Sequence, residues 1–214
     1  FLPSVVAVRR EGGNPESLQR TRERSRGINP AICSARVCPK YDTIVARKKL
    51  PMSDKKKVYV ETSVVSNLTA RPSHNVTDAA MQAQTINWWS LAPQYFELYG
   101  SELVIQEASR GDSDAAKRRL DAAAELQMLD IDEECLSLAK RLLVAAAVPK
   151  TSFDDAVHIA TAAIRKMDYL VTWNCKHIAH TMTMPKIQRA IKDAGYECPV
   201  ICIPPALEGG TEDV

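Results

Sequence analysis

The chain has 214 residues and a formal net charge of +2, and 45% of its residues are hydrophobic. This length suffices for one good core, and no run of about 18 apolar residues occurs, so no membrane span is expected. The charge is uneven: residues 1–57 contain 14 Lys/Arg and 5 Asp/Glu, whereas residues 58–214 contain 14 and 21.

Residues 1–51 are expected to be a disordered basic extension, because they show no sustained period and are rich in Arg, Pro, Gly and Ser. One interpretation is an upstream segment without structure; another is a basic arm for nucleic acid. Met52 precedes a regular pattern and reads as the start of a domain, which we predict over 52–206. Residues 207–214 are expected to be a flexible tail.

Short apolar runs alternate with helical patterns throughout this domain. The predicted strands are 57–60, 101–106, 128–131, 168–174 and 199–203. The predicted helices are 64–70, 76–91, 111–126, 132–147, 152–167 and 184–194, with Thr62 or Ser63 capping the first and Pro93 opening a separate turn. Such alternation predicts βαβ units, an α/β fold and a mainly parallel central sheet.

Three carboxylates and one amide fall at related positions of this pattern. Glu61 and Glu107 follow predicted strands, Asn174 ends one, and Asp155 lies in the first turn of the helix predicted over 152–167. Sites in parallel sheets form beyond the carboxyl ends of the strands. Because gathered carboxylates repel each other, such a cluster is typical of a divalent-cation site, and it indicates metal-dependent cleavage of a phosphodiester.

The six cysteines are expected to be reduced thiols of a cytoplasmic protein, since the chain is long and lacks a clean secretory signal. The spacing of Cys175, His177 and His180 fits no common zinc motif. His177 and Lys176 are better interpreted as flanking the site, where they would touch phosphate.

Four segments together resemble the PIN-domain nucleases, especially the VapC-type toxins of toxin–antitoxin pairs. They are VYVETSVVS, SELVIQEASRGD, DDAVHIATA and DYLVTWNCKHI, within about residues 57–206. The family usually has Asp where Glu61 stands and often Asp where Asn174 stands. The resemblance implies a PIN-like three-layer α/β/α fold.

The resemblance also implies a mechanism. Glu61, Glu107 and Asp155 would hold Mg²⁺ or Mn²⁺, and Asn174 would support a water or a second ion. Ser63, Thr172 and Asp154 are the expected supporting residues, with Ser63 orienting Glu61. The implied activity is hydrolysis of RNA by an endoribonuclease, the toxin of a type II pair. The implied partners are RNA, a cognate antitoxin with a basic tail and a second copy of the chain, bound through helix 76–91.

Each residue also has a structural interpretation. Asp154 is expected to cap the helix over 152–167, Asn174 could be a turn residue, and His158 is expected to be a packed, hydrogen-bonded histidine. Two other functions stay open: a catalytically weak PIN-like module that binds RNA or protein, and a receiver-like signalling domain. A receiver-like domain would have a Lys at the end of a late strand, and this chain has Asn174 at that position.

Overall fold

The computed structural model describes residues 55–208, which form an α/β fold around one sheet. The strands are β1 (Lys56–Val60), β2 (Phe96–Ser101), β3 (Gln127–Leu129), β4 (Tyr169–Val171) and β5 (Val200–Cys202). The helices are α1 (Thr62–Thr69), α2 (Val76–Tyr95), α3 (Glu102–Ala108), α4 (Ser113–Ala123), α5 (Glu133–Val144), α6 (Phe153–Ile164) and α7 (Met184–Asp193), followed by a 3₁₀ turn at Pro204–Leu207.

The sheet has the strand order β3-β2-β1-β4-β5, and every neighbouring pair is parallel. The chain first moves outward from β1 to β2 and β3, then crosses back to β4 and β5. Right-handed crossovers therefore place α1–α4 on one face and α5–α7 on the other. The contacts agree with this, because α1 packs on α2 and α4 while α5 packs on α6 and α7. The predicted three-layer α/β/α architecture is confirmed.

The core lies between these layers, and β1, β4 and α6 are its central elements. Val58, Tyr59 and Val60 are all fully buried, as expected for a central strand covered on both faces. Every residue of α6 from Ala156 to Ala163 is also buried, so this helix is an interior element. Its Asp154 and Asp155 stand at the N-terminal end, where the helix becomes partly exposed.

One predicted strand was wrong. The segment 101–106 contains the end of β2 and most of α3, so Glu107 lies on a helix. The strand is the preceding segment, Phe96–Ser101, where buried and half-buried residues alternate. The apolar run that suggested a strand is short, and a buried helix segment gives the same pattern.

Helix α2 also departs from prediction, because it continues through Pro93 to Tyr95 instead of ending near residue 91. The separate helical turn expected from Pro93 to Tyr99 was wrong, since β2 begins at Phe96. Proline costs an interior helix a hydrogen bond. Burial of Trp88 and Ala92 in the core keeps this last turn packed on the sheet. Packing has therefore overridden a local breaker.

At the end of the domain, Leu207 is 7% exposed and belongs to the core cluster, although the sequence suggested a tail from residue 207. The extension predicted over 1–51 and the remainder of the tail lie outside the described residues. Within 55–208 no helix is long and apolar enough to cross a membrane. The cysteines of this range, Cys135, Cys175, Cys198 and Cys202, are all free.

Candidate active site

The site lies at the carboxyl edge of the sheet, where the direction of chain winding reverses between β1 and β4. Glu61 follows β1 directly and Thr172 follows β4 directly. The Glu61 backbone N–H donates to the carbonyl of Val171 at 3.0 Å, which joins the two strand ends. Parallel sheets form their ligand crevices at such a switch point.

Glu61 is a buried carboxylate, 5% exposed, that accepts hydrogen bonds from Ser63 and Thr172. It is the N-cap of α1 and accepts from the Ser63 N–H at 3.1 Å, so the predicted caps Thr62 and Ser63 are replaced by their neighbour. The Ser63 hydroxyl donates to Oε2, and the Thr172 hydroxyl donates to the same oxygen at 2.7 Å. All of these donors are neutral, so hydrogen bonds orient the charge of Glu61 without cancelling it.

Glu107 projects from α3 towards the same crevice and is 20% exposed. Its Oε2 accepts from the Thr62 hydroxyl and from Nε2 of His158, the latter at 3.0 Å. Burial alone would raise the pKa of Glu107, but the hydrogen bonds and charges of His158, Thr62 and Arg110 lower it below its usual value. Glu107 is therefore an ionised carboxylate at neutral pH.

His158 is buried, 1% exposed, and lies in a chain of hydrogen bonds. Its Nδ1 contacts the Tyr59 hydroxyl at 2.8 Å, and that hydroxyl contacts Ser101 Oγ at 2.7 Å. If Nδ1 accepts from Tyr59, the ring proton is on Nε2; if the ring is charged, Nε2 is protonated as well. In both forms Nε2–H donates to Glu107, so His158 positions that carboxylate.

The pKa of His158 is raised even though its burial opposes the charged form, because Glu107, Glu61 and Asp155 all favour it. This agrees with the prediction of a packed, hydrogen-bonded histidine. The Tyr59 hydroxyl has a raised pKa through its burial and stays neutral.

Asp155 forms a second group with Asn174 and His177. Its Oδ1 accepts from the Asn174 amide at 2.9 Å, and its Oδ2 contacts His177 Nδ1 at 2.8 Å. Asn174 Oδ1 in turn accepts from the His177 N–H at 3.0 Å, which closes a local turn. Asn174 therefore takes part in a turn, although without the positive φ of the αL turn residue that the sequence left open, and it also fixes Asp155.

Asp154 was expected to cap α6, and this prediction was wrong. The N-cap is Ser152, which makes no side-chain cap bond. Instead Ser152 Oγ contacts His177 Nδ1 at 3.1 Å, and Asp154 lies 3.7 Å from Arg110 in a half-exposed ion pair. The Ser152 hydroxyl thus contacts His177 instead of capping α6. The two first-turn aspartates make their contacts with other elements, Asp154 with Arg110 and Asp155 with Asn174 and His177.

Among residues 55–208, the group of side chains placed closely enough to hold a cation is Glu61, Glu107 and His158, with ligand atoms within 4.8 Å of one another. Asp155 is not part of that group. The two carboxylates fit Mg²⁺ or Mn²⁺, which prefer oxygen ligands, and Glu61 is buried with neutral donors only. Since His158 Nε2 carries a proton towards Glu107, the donor set that fits is the carboxylate pair.

The family model of the PIN domain matches residues 58–174 of this chain. That stretch includes β1 from Val58 onward, all of β4 and every residue of the crevice except His177. The chain belongs to the PIN domain family. Members of this family are generally nucleases, and the acidic cluster at the switch point lies within the matched residues. No curated protein sequence matches the chain.

Three solved structures are similar to this PIN domain at low identity. VapBC2 from Rickettsia felis, bound to a promoter DNA fragment, is 13% identical with a TM-score of 0.44, over 69% of this chain and 98% of that one. VapC20 of Mycobacterium tuberculosis, a toxin that cleaves the sarcin–ricin loop, is 17% identical with a TM-score of 0.46, over 56% and 91%. A toxin–antitoxin complex from Klebsiella pneumoniae is 17% identical with a TM-score of 0.43, over 59% and 93%.

Sequence reasoning missed four contributors to the site: Tyr59, Thr62, Ser101 and the contact of His177 with Asp155. A local signal existed for one of them, because Thr62 directly follows Glu61. Tyr59 lies one residue before the end of β1. Its hydroxyl supports the site by contacting His158, which is 99 positions away in the chain. No local pattern reveals that pairing.

Proposed function

We propose that this PIN domain is a Mg²⁺- or Mn²⁺-dependent endoribonuclease, the toxin of a type II toxin–antitoxin pair. The observation that carries the proposal is the carboxylate pair Glu61 and Glu107, held close together at the switch point of the sheet. The toxin assignment rests on the resemblance of the four sequence segments to VapC-type proteins.

Glu61 and Glu107 would hold the cation, and Asp155 would join them once its side chain turned from His177. A bound Mg²⁺ or Mn²⁺ supplies a water of lowered pKa and offsets charge on the scissile phosphate. Ser63 and Thr172 keep the Glu61 carboxylate in one orientation, while Thr62 and His158 do the same for Glu107. Such supporting hydrogen bonds commonly matter for metal affinity.

The deciding experiment is cleavage of a mixed single-stranded RNA with Mn²⁺, with Mg²⁺ and with EDTA. Wild type is compared with Glu61→Gln and Asp155→Asn, and Glu133→Gln, an exposed acid at the start of α5, is the matched control. We expect metal-dependent cutting by wild type and the control, and a loss of about 100-fold or more in both site variants. Equal cutting by all four proteins would refute the assigned residues.

One observation favours the second candidate, a catalytically weak module that binds RNA or protein. Both oxygens of Asp155 are already engaged, by Asn174 and His177, and the amide of Asn174 carries no charge for a second ion. Detectable Mn²⁺ binding to a folded wild type that cuts no RNA would support this candidate over the nuclease.

RNA binding is expected to depend on few basic side chains. Four arginines donate hydrogen bonds to backbone carbonyls of the fold: Arg118 to Thr69, Arg119 to Ala108, Arg141 to Asp193 and Arg165 to Asp130. Four exposed lysines lie beside these arginines or the site in sequence: Lys117, Lys140, Lys166 and Lys176. We therefore predict a shallow dependence of RNA affinity on salt, and an affinity independent of salt would contradict it.

Two partners follow from the proposal. A basic antitoxin tail would place an Arg among the carboxylates of the crevice. A second copy of the chain would pack on α2, where Ile86, Leu91 and Tyr95 are 54%, 39% and 43% exposed. Sedimentation of wild type against Ile86→Asp tests the dimer, and a monomeric wild type would refute it.

A further inference from the structure

Beside the acidic crevice lies an open pocket of about 490 Å³ that the catalytic proposal does not use. It lies between α3, the start of α5 and the first turn of α6. Its lining residues are Glu102, Leu103, Gln106, Ile131, Leu136, Phe153, Asp154 and Val157. Its size is in the range of sites for small organic groups.

The pocket is joined to the site through two elements. Gln106 immediately precedes Glu107 on α3, and Asp154 immediately precedes Asp155 on α6. Because neighbouring Cα atoms are about 3.8 Å apart, the base of a nucleotide next to a phosphate at Glu107 would have this pocket within reach. Arg110, 56% exposed, lies 3.7 Å from Asp154 and gives this rim a positive group for the backbone between them.

The lining combines an apolar floor with polar groups on the rim. Leu103 and Val157 are buried, whereas Phe153 is 37% exposed and presents an aromatic surface at the start of α6. Glu102 and Gln106 are exposed and one helical turn apart on α3, so they lie on the same face of that helix. An aromatic side chain beside hydrogen-bonding groups is how proteins recognise an unstacked base.

We propose that this pocket binds one unpaired guanine base of the RNA substrate, with Phe153 stacking on it and Glu102 and Gln106 reading its edge. Guanine alone presents two adjacent donors, N1–H and N2–H₂, which one carboxylate can accept together. Its O6 would accept from the Gln106 amide. Uracil and cytosine lack this paired-donor edge, and adenine offers a single amino group. The inference rests on the proposed nuclease function.

The test is cleavage of a randomised single-stranded RNA pool by the full chain with Mn²⁺, with the cut ends sequenced. We expect guanine to be enriched at one fixed position relative to the cut. Phe153→Ala should abolish that enrichment and raise KM about tenfold, a typical loss for one stacked base, whereas Phe153→Tyr should retain both. Glu102→Gln should weaken the guanine preference, while Glu133→Gln should not.

Two results would overturn the pocket assignment: cutting by wild type without base enrichment, or the same enrichment in Phe153→Ala. Phe153→Leu separates stacking from packing, because it keeps an apolar side chain without a ring; retained guanine preference there would refute a stacking role. If Phe153→Ala keeps the base preference of wild type but no longer binds a basic partner peptide, the pocket is a protein-docking groove instead.

A second measurement keeps the inference separate from the nuclease proposal. Guanosine monophosphate and uridine monophosphate are titrated into wild type, Phe153→Ala and Phe153→Tyr while NMR shifts are followed, with no cleavage needed. We expect saturable guanosine binding to wild type and to Phe153→Tyr only. If the protein cuts no RNA but binds guanosine monophosphate in this way, the pocket assignment is supported and the nuclease proposal is refuted. If it cuts RNA but does not distinguish the two nucleotides, the pocket assignment is refuted.

Discussion

At the scale of single residues, the site depends on side chains that hold the acids in place. Glu61 and Glu107 each take two or more hydrogen bonds from neutral hydroxyls, amides or a histidine. Each acceptor is thereby fixed to one orientation, which a cation site requires. Behind these groups, the fully buried Tyr59 hydroxyl joins Ser101 to His158.

Replacing Tyr59 by Phe should destabilise the protein by about 1–3 kcal/mol, because Ser101 and His158 would each lose a buried hydrogen-bond partner. The matched control is Tyr99→Phe, whose hydroxyl donates to Glu97 at 2.9 Å at a partly exposed position. That control should change the free energy of unfolding by about 0.5 kcal/mol or less. Urea denaturation of both variants measures the difference, and equal losses would refute the role of the buried network.

At the scale of elements, one acid fixes the start of α5. Asp132 is the N-cap of α5 and accepts from the Cys135 N–H at 3.0 Å, while Arg165 of the loop after α6 donates to it at 2.7 Å. These bonds, first the one from Cys135 and then the one from Arg165, lower the pKa of Asp132 to about 2. The start of α5 is thus joined to the C-terminal end of α6, the end opposite to Asp154 and Asp155.

This lowered pKa predicts a pH dependence of stability. A carboxyl whose folded pKa lies below its unfolded value stabilises the fold above the unfolded pKa of about 3.9 and loses that contribution as pH falls towards 2. The free energy of unfolding of wild type should therefore exceed that of Asp132→Asn at pH 5 to 7. The two curves should converge between pH 4 and 2, because Asn resembles the protonated acid. Because the pair is half-exposed, salt should shrink the gap; a gap that persists to pH 2 would contradict this assignment.

At the scale of the whole molecule, the doubly wound order β3-β2-β1-β4-β5 brings together acids that lie far apart in sequence. Glu61 and Glu107 are like charges in one crevice, so the fold without metal keeps an electrostatic cost there. A cation that binds the folded state and not the unfolded one should lower that cost and raise the unfolding temperature.

Adding Mn²⁺ to the EDTA-treated protein should therefore raise its Tm. At about 100 times the dissociation constant the stabilisation would be about 2.7 kcal/mol. Glu61→Gln should lose the Mn²⁺-dependent shift, whereas Glu133→Gln should keep it. Calorimetry with and without Mn²⁺ measures this, and an unchanged shift in Glu61→Gln would remove that residue from the metal site.

The sequence by itself determined the α/β class, the parallel sheet and the positions of most helices, because period, caps and breakers are local properties of the chain. Asp112, for example, is the N-cap of α4, and an Asp just before a helical pattern is a local signal for a cap. The PIN resemblance was equally local, since it rested on four short segments. Glu61 followed its strand as predicted, because β1 ends in a buried run that the pattern marks clearly.

Only the tertiary structure decided which residues meet. It placed Glu107 on a helix rather than after a strand, joined Tyr59 to Ser101 and His158, and turned Asp155 towards Asn174 and His177. These contacts join positions from 19 to 99 residues apart, and the long-range ones depend on strand order. The physical reason is that a local pattern specifies where a side chain leaves its own element, while its partner is set by the packing of elements far away in the chain.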